Sequence, residues 1–488
     1  MTELPEVLAV RRAGVLLHPS SLPASKCGQA GGTLGHAAYR LVDHLAACGM
    51  SVWQMLPLGP THSDGSPYQC LSSHAGSPRL IDYALLAEQA AWCSSEVFDA
   101  PSAKACFEQN ADAAAKADWA RFLADEAHWL DDYVLFVALR EQHGMRAWFD
   151  WSRALRTREP NALAAAREQL NERIQQLSFE QYLFFSQWFA LRDYAHAHGV
   201  LLFGDMPIYV AHDSAEVWAQ PHLFSVNAEG QCESVAGVPP DYFSATGQRW
   251  GNPLYRWEQH EADGFAWWKA RFATQLKLFD IVRIDHFRGL EAYWSIPAAC
   301  ETAMDGEWIL APGDALLTAL REAFGALPVV AEDLGIITDE VTALRQKHGL
   351  PGMRILQFAF DGGAQNPYLP HNHTPDSVVY TGTHDNDTTM GWWQSLDEAA
   401  KARVHAYLCG EKPVEAMPGL LIRAALESVA QLAIIPMQDL LELGTEARMN
   451  TPGTTVGNWA WQYDEAQCTP ERVARMRELI GLYGRWVG

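Results

Sequence analysis

The chain has 488 residues, 48% hydrophobic and 19% charged, and a formal net charge of −23. This length accommodates a large barrel with insertions, or two domains, and the composition is globular. The negative balance repels phosphate backbones and anionic headgroups, so no nucleic acid and no membrane surface is expected as a partner, and a neutral substrate suits it.

No segment reaches the roughly 18 consecutive apolar residues of a membrane helix. Arg11-Arg12 near the start is followed by only five apolar residues before His18 and Pro19 interrupt them, too short a run for a secretory signal. A cytoplasmic chain is therefore expected. The nine cysteines are scattered with no CxxC, which indicates neither a disulfide framework nor a zinc site. The 19 tryptophans and 15 tyrosines supply flat apolar faces with polar edges, suited to sugar rings as well as to a core.

In chain order, β-type runs occur at 14–21 (GVLLHPSS), 51–60 (SVWQMLPLGP), 200–207 (VLLFGDMP), 280–287 (DIVRIDHF), 328–335 (PVVAEDLG), 353–360 (MRILQFAF), 378–387 (VVYTGTHDND) and 433–440 (AIIPMQDL). Eight near-continuous apolar strands, with helical stretches between most of them, predict an α/β fold of the (β/α)8 TIM-barrel type. A doubly wound sheet is the alternative, but no Gly-rich phosphate loop follows the first run. In a barrel the chemistry gathers where the strands end, and His18, Asp205, Asp285, Glu332, Asp385 and Gln438-Asp439 all stand at such exits.

Two intervals exceed ordinary crossovers. Residues 83–195 are rich in Ala, Glu, Gln, Leu and Arg with helical spacing, and read as a helical insertion subdomain after the second strand. Residues 208–260 are richer in Pro, Gly and aromatics, and read as a loop-rich insertion after the third strand that lines a groove. The whole of 1–488 then forms a single catalytic barrel.

The run IVRIDHF carries unusual charge for a core strand. Period-two alternation puts Arg283 and Asp285 on one face, where the permanent cation is expected to lower the carboxylate pKa and keep it ionised, as a nucleophile requires. Glu332 and Asp333 end the next run, and adjacent strand residues point opposite ways, so one of the two is structural. His384, Asp385 and Asp387 follow two strands later. Several carboxylates converging on one mouth should raise the pKa of at least one of them, giving a proton donor beside an ionised nucleophile, the equipment of a retaining glycosidase.

With these residues stand the strings SVWQMLPLGPTHSDGSPYQ, FGDMPIYVAHDSAEVW, GVPPDYFSATGQRWGNPLYRW, RIDHFRGL, VAEDLG, VYTGTHDNDT and RMNTPGTTVGNWAW. Together they resemble the amylomaltase, 4-α-glucanotransferase or disproportionating-enzyme family, within the α-retaining (β/α)8 clan that includes α-amylases. The resemblance runs from about residue 11 to 485. It implies that Asp285 is the nucleophile, Glu332 the general acid/base, and Asp385 the carboxylate that holds substrate hydroxyls. It further implies that Arg283 and His384 line the subsite beside the cleaved bond, that Asp205 is a subsite residue, and that Tyr68 offers a stacking face. Gln248 and Trp250 would shape the groove and, with Tyr242 and Phe243 nearby, cover the acceptor side. His286 also matches the family motif, and a packed histidine bonded to a backbone carbonyl is the other reading of it. Maltooligosaccharides and other α-1,4-glucans are the implied substrates, with no cofactor and no metal.

An α-1,4-glucan hydrolase of the same clan would share the three carboxylates and is the alternative. A glucan-binding protein without turnover does not need all three. No HExxH or close histidine cluster supports a metal-dependent enzyme. Two segments depart from the family pattern: ASKCGQAGGTLG where a GIGDLG-like turn is usual, and HAGSP at 74–78 where FAGNP is usual.

Overall fold

Short runs of Val, Ile, Leu and Ala that are buried on both faces form parallel strands only when helices cover one side and other strands the other. In the computed structural model, which describes residues 4–24, 31–93, 97–240, 244–409 and 416–487, eight such runs meet. Numbered in chain order, the strands are β1 (Arg12–Leu16), β2 (Val52–Gln54), β3 (Leu201–Pro207), β4 (Ser234–Val238), β5 (Gln248–Pro253), β6 (Ile281–Asp285), β7 (Ala292–Pro297), β8 (Glu307–Leu310), β9 (Val329–Ala331), β10 (Gly352–Ile355), β11 (Ser377–Tyr380) and β12 (Leu432–Pro436).

The main sheet has the order β10-β11-β12-β1-β2-β3-β6-β9, all parallel. It curls back on itself so that β9 faces β10, where Ala331 N–H donates to the Pro351 carbonyl at 2.8 Å. Each of the eight expected runs overlaps one of these strands. The strands stop earlier than the runs do, because the polar residues that end each run belong to the loops above the barrel.

Alternation divides each strand between two cores. Leu16, Val52, Phe203, Ile281, Val330, Met353, Ile355, Val378, Tyr380, Leu432 and Ile434 form one cluster that draws on all eight strands, which makes it the barrel interior. Their neighbours Val15, Trp53, Leu202, Val282, Ile284, Val329, Ala331, Val379, Ala433 and Ile435 pack outward against the helices. Helices His36–Cys48, Asn171–Ala197, Ala266–Leu278, Gly313–Phe324, Asp339–Lys347, Gly419–Glu427 and Pro470–Leu482 run between or after the strands.

Residues 83–197 carry helices Tyr83–Gln89, Ala100–Asn110, Ala113–Gln142, Arg153–Arg156, Pro160–Gln169 and Asn171–Ala197. The last of these also leads into β3, and its fully buried Trp188 donates to the Leu278 carbonyl at 3.2 Å. The stretch 208–260, expected to be a loop-rich insertion, contains β4 and β5. These join β7 and β8 in an antiparallel sheet of order β5-β4-β7-β8, built from the loops that follow β3 and β6.

The opposite end of the barrel is closed by a cation without a carboxylate. Arg485 is fully buried and donates to the carbonyls of Arg12, Leu426, Ser428, Ala430 and Gln431, groups that lie at or before the starts of β1 and β12. Burial lowers its pKa to about 9. Removing the guanidinium strands several buried acceptors, each costing about 1–3 kcal/mol. Arg485→Leu should therefore lose about 3 kcal/mol or more of stability, read as a lower urea midpoint. Activity of the folded variant should be little changed, since the strand exits lie at the other end.

Candidate active site

The parity of each strand continues into its exit. Arg283 and Asp285 follow Ile281 in phase and rise from the interior face of β6. Asp205 follows Phe203 on β3, with Asp205 beside Arg283 and Pro207 beside Asp285 in the ladder. Glu332 follows Val330 inward, and Asp333 follows Val329 and Ala331 outward. The acidic residue of that pair that reaches the mouth is thus Glu332. Asp333 is held at the barrel wall, within 3.3 Å of Arg345 and 3.5 Å of Arg354.

Arg283 lies at the centre, with 6% of its side chain exposed. One guanidinium nitrogen donates to Asp205 Oδ2 at 2.6 Å and another to Asp285 Oδ1 at 2.7 Å. Tyr68, from the loop after β2, donates its hydroxyl to the same Asp205 oxygen at 2.7 Å and stands 2.9 Å from His384 Nε2. Since the one phenolic proton goes to Asp205, the histidine must supply the other, which fixes His384 with its proton on Nε2. The Tyr68 and His384 rings stack with centroids 5.2 Å apart, and His384 Nε2 is 3.4 Å from Asp385 Oδ1.

Glu332 is held from two sides. Its Oε2 accepts the backbone N–H of His286 at 2.6 Å, and its Oε1 that of Leu334 at 3.0 Å. His286 follows Asp285 directly and adopts φ 54, a left-handed turn that aims its N–H at the carboxylate. Its ring meets Trp250 edge-on at 4.8 Å, and Trp250 Nε1 donates to Gln248 Oε1 at 3.1 Å on the exposed rim. The expected bond from His286 to a backbone carbonyl is not formed: its Nε2 is buried without a hydrogen-bond partner among the described residues.

The structure thus gathers Tyr68, Asp205, Arg283, Asp285, Glu332, His384 and Asp385 at one mouth, with Trp250 and Gln248 at its edge. Tyr242 and Phe243 lie outside the described residues, as do residues 25–30 of the atypical segment at 24–35. Two residues were not singled out from sequence. Asn450 donates to Asp385 Oδ1 at 2.7 Å, and Trp459 stands 6.1 Å from both Tyr68 and His384. Both occur in RMNTPGTTVGNWAW, whose position beside Asp385 nothing in the spacing reveals. Among the described residues no group of three or more His, Cys, Asp and Glu side chains could hold a metal ion.

The electrostatics correct one expectation. Although 28% of the Asp285 side chain opens onto the groove, burial pushes its carboxyl up to about 8; Arg283 opposes this, and Asp205, Glu332 and Asp385 add to it. The Arg283 cation is divided between two carboxylates, so it does not by itself hold Asp285 in the usual ionised range. Burial also raises Glu332, against the pull of Arg283 and the two backbone N–H groups. Both carboxyls therefore hold their protons to higher pH than free carboxyls do.

The comparisons with known proteins fall on this geometry. A family model described as 4-alpha-glucanotransferase matches residues 17–467. The chain belongs to the 4-alpha-glucanotransferase family. It is 48% identical to the 4-alpha-glucanotransferase of Thermus thermophilus, over 96% of this chain and 98% of that one. It is 42% identical to the chloroplastic or amyloplastic 4-alpha-glucanotransferase of Arabidopsis thaliana, over 99% of this chain and 87% of that one. Its structure superposes on amylomaltase from Streptococcus agalactiae in complex with acarbose with a TM-score of 0.93 at 37% identity, covering 98% of this chain and 100% of that chain. Like its family, the chain is a glycosyltransferase that acts on α-1,4-glucans.

The charge state of these two carboxyls sets the sign of the pH dependence. With Asp285 ionised and Glu332 protonated the pair carries one proton. Activity falls on the acid side when a second proton binds and on the alkaline side when the last one leaves. Because burial raises both carboxyls, both limbs of kcat/KM should lie above those of free carboxylates. A kcat/KM profile for transfer from maltotriose checks this.

Proposed function

We propose that Asp285, Glu332 and Asp385 carry the 4-α-glucanotransferase reaction by double displacement. Asp285 attacks the anomeric carbon of a donor glucan while Glu332 gives its proton to the departing 4-oxygen. The C1–O4 bond breaks and a β-linked glycosyl ester forms on Asp285. Glu332, now a carboxylate, takes the proton of an acceptor 4-hydroxyl, whose oxygen attacks the same carbon. This restores an α-1,4 bond and frees Asp285.

One observation carries this reading. The Glu332 carboxyl is bonded to the peptide N–H immediately after Asp285, so nucleophile and acid/base are fixed to one turn of backbone. Their repulsion and burial favour one proton between them, which is the charge state the first step needs.

The remaining roles follow from position. Arg283 orients Asp285 and balances its charge, as the shared hydrogen bonds allow. Asp385, exposed at the mouth and anchored by Asn450, is placed to accept from sugar hydroxyls. His384 and Asp205 complete the subsite, and Tyr68 gives it a flat wall. Trp250 and Gln248, on the rim strand β5, cover the acceptor side and favour a sugar hydroxyl over water by proximity. In this reading 1–488 acts as one catalytic barrel, with 83–195 as a helical insertion subdomain and 208–260 lining the groove. The cytoplasmic location expected from sequence belongs to the same proposal.

Incubation with maltotriose alone tests the reaction. Glucose should appear together with maltopentaose and longer chains at constant total reducing ends, whereas rising reducing ends with only shorter products would indicate hydrolysis. Asp285→Ala should reduce turnover by about 10⁴-fold or more while glucan affinity, measured by calorimetry, stays within a few-fold.

A further inference from the structure

The eight barrel strands form seven hydrogen-bonded pairings, and the place where a ladder is missing lies between β9 and β10. A single backbone bond, Ala331 N–H to the Pro351 carbonyl, starts the seam. Two residues past the end of β9 a side chain takes over. Asp333 Oδ1 accepts the Met353 N–H at 2.6 Å, occupying the place a strand carbonyl would fill. Arg345 and Arg354 close on its other oxygen at 3.3 and 3.5 Å, and Arg354 also donates to the Met353 carbonyl at 2.6 Å. Gly352 is what lets the carboxylate come so near, since a Cβ there would collide with Asp333 Oδ2.

The residue before Asp333 is Glu332, whose backbone is tied to the other neighbour, β6. Its N–H donates to the Ile284 carbonyl at 3.0 Å, and its carbonyl accepts from Phe287 N–H at 3.2 Å. Asp333 therefore supplies the tie that fixes the Glu332 backbone on the β10 side. Without it the exit of β9 keeps only the Ala331–Pro351 bond on the β10 side, one residue before the point from which Glu332 reaches the bond to be broken.

We propose that Asp333 is a positioning residue for the acid/base carboxyl, substituting for the missing strand pairing so that Glu332 is held at proton-transfer distance from the glycosidic oxygen. The inference rests on the reading of Glu332 as the acid/base. A displacement of about 1 Å at a proton donor is costly to a step that needs the proton and of little consequence to one that does not.

That contrast gives the test. The kcat/KM of Asp333→Asn is compared for two donors, maltotriose, whose leaving sugar must be protonated, and α-maltosyl fluoride, whose leaving fluoride needs no proton. Asp333→Asn should lose about 10- to 100-fold with maltotriose and less than about threefold in fluoride release. Gly352→Ala, which crowds Asp333 without altering any charge, should shift the two donors in the same unequal way and serves if Asp333→Asn fails to fold, folding being checked by circular dichroism. Equal losses with both donors, or no loss with either, would overturn the positioning role. Glu332→Ala, run alongside, should show the same inequality more strongly. If it does not, the assignment of Glu332 fails and the inference with it, whereas an unequal Glu332→Ala beside an equal Asp333→Asn removes the inference alone.

Discussion

The guanidinium of Arg283 organises the catalytic mouth. It stands at the top of the apolar barrel interior and divides its donors between Asp205 and Asp285, while Tyr68 bonds to the same Asp205 oxygen. Burial opposes the charge, but Asp205 and Asp285 outweigh it and hold the side chain cationic. One cation among Asp205, Asp285, Glu332 and Asp385 leaves the set short of positive charge. Burial, with that shortfall adding to it, raises the Asp285 carboxyl, and a proton donor beside a carboxylate nucleophile is what cleavage of a glycosidic bond asks for. The same charges that would destabilise an ordinary core are thus arranged to act.

The barrel supplies the precision. Arg283, Asp285, Asp205 and Glu332 reach the mouth because each is in phase with an inward-facing apolar residue on its own strand, and a one-residue slip of any strand would turn its contribution to the wall. The mouth is completed by segments from far along the chain. Trp250 arrives on the antiparallel sheet, and Asn450 and Trp459 on the segment after β12. A rigid floor with loops laid over it separates the bond-making groups from those that shape the groove.

Much of this was legible in the chain. Eight short apolar runs ending in charge gave the barrel and its functional end, and the alternation in IVRID placed Arg283 beside Asp285. The choice between Glu332 and Asp333 was not legible, because a strand buried on both faces is apolar at every position and hides its phase. The antiparallel sheet was missed for a related reason. Strands such as QRWGNP hold Gly and Pro, and their partners lie in a different loop of the barrel. Asn450 is 65 residues from Asp385, a separation no motif spacing conveys. The pairing of Asp285 with Arg283 was foreseen, but the extent of burial, which lifts its pKa, is a property of the folded mouth alone.

The central claim is that Asp285 becomes covalently glycosylated. Its most direct test is to incubate Glu332→Gln with α-maltosyl fluoride, which can glycosylate the enzyme without an acid but leaves no base to release it, and to locate the adduct by peptide mass spectrometry. One maltosyl group on the peptide containing Asp285, released by mild alkali as an ester would be, is the predicted result. A label on Asp205 or Asp385, or fluoride release with no adduct on the protein, would contradict it.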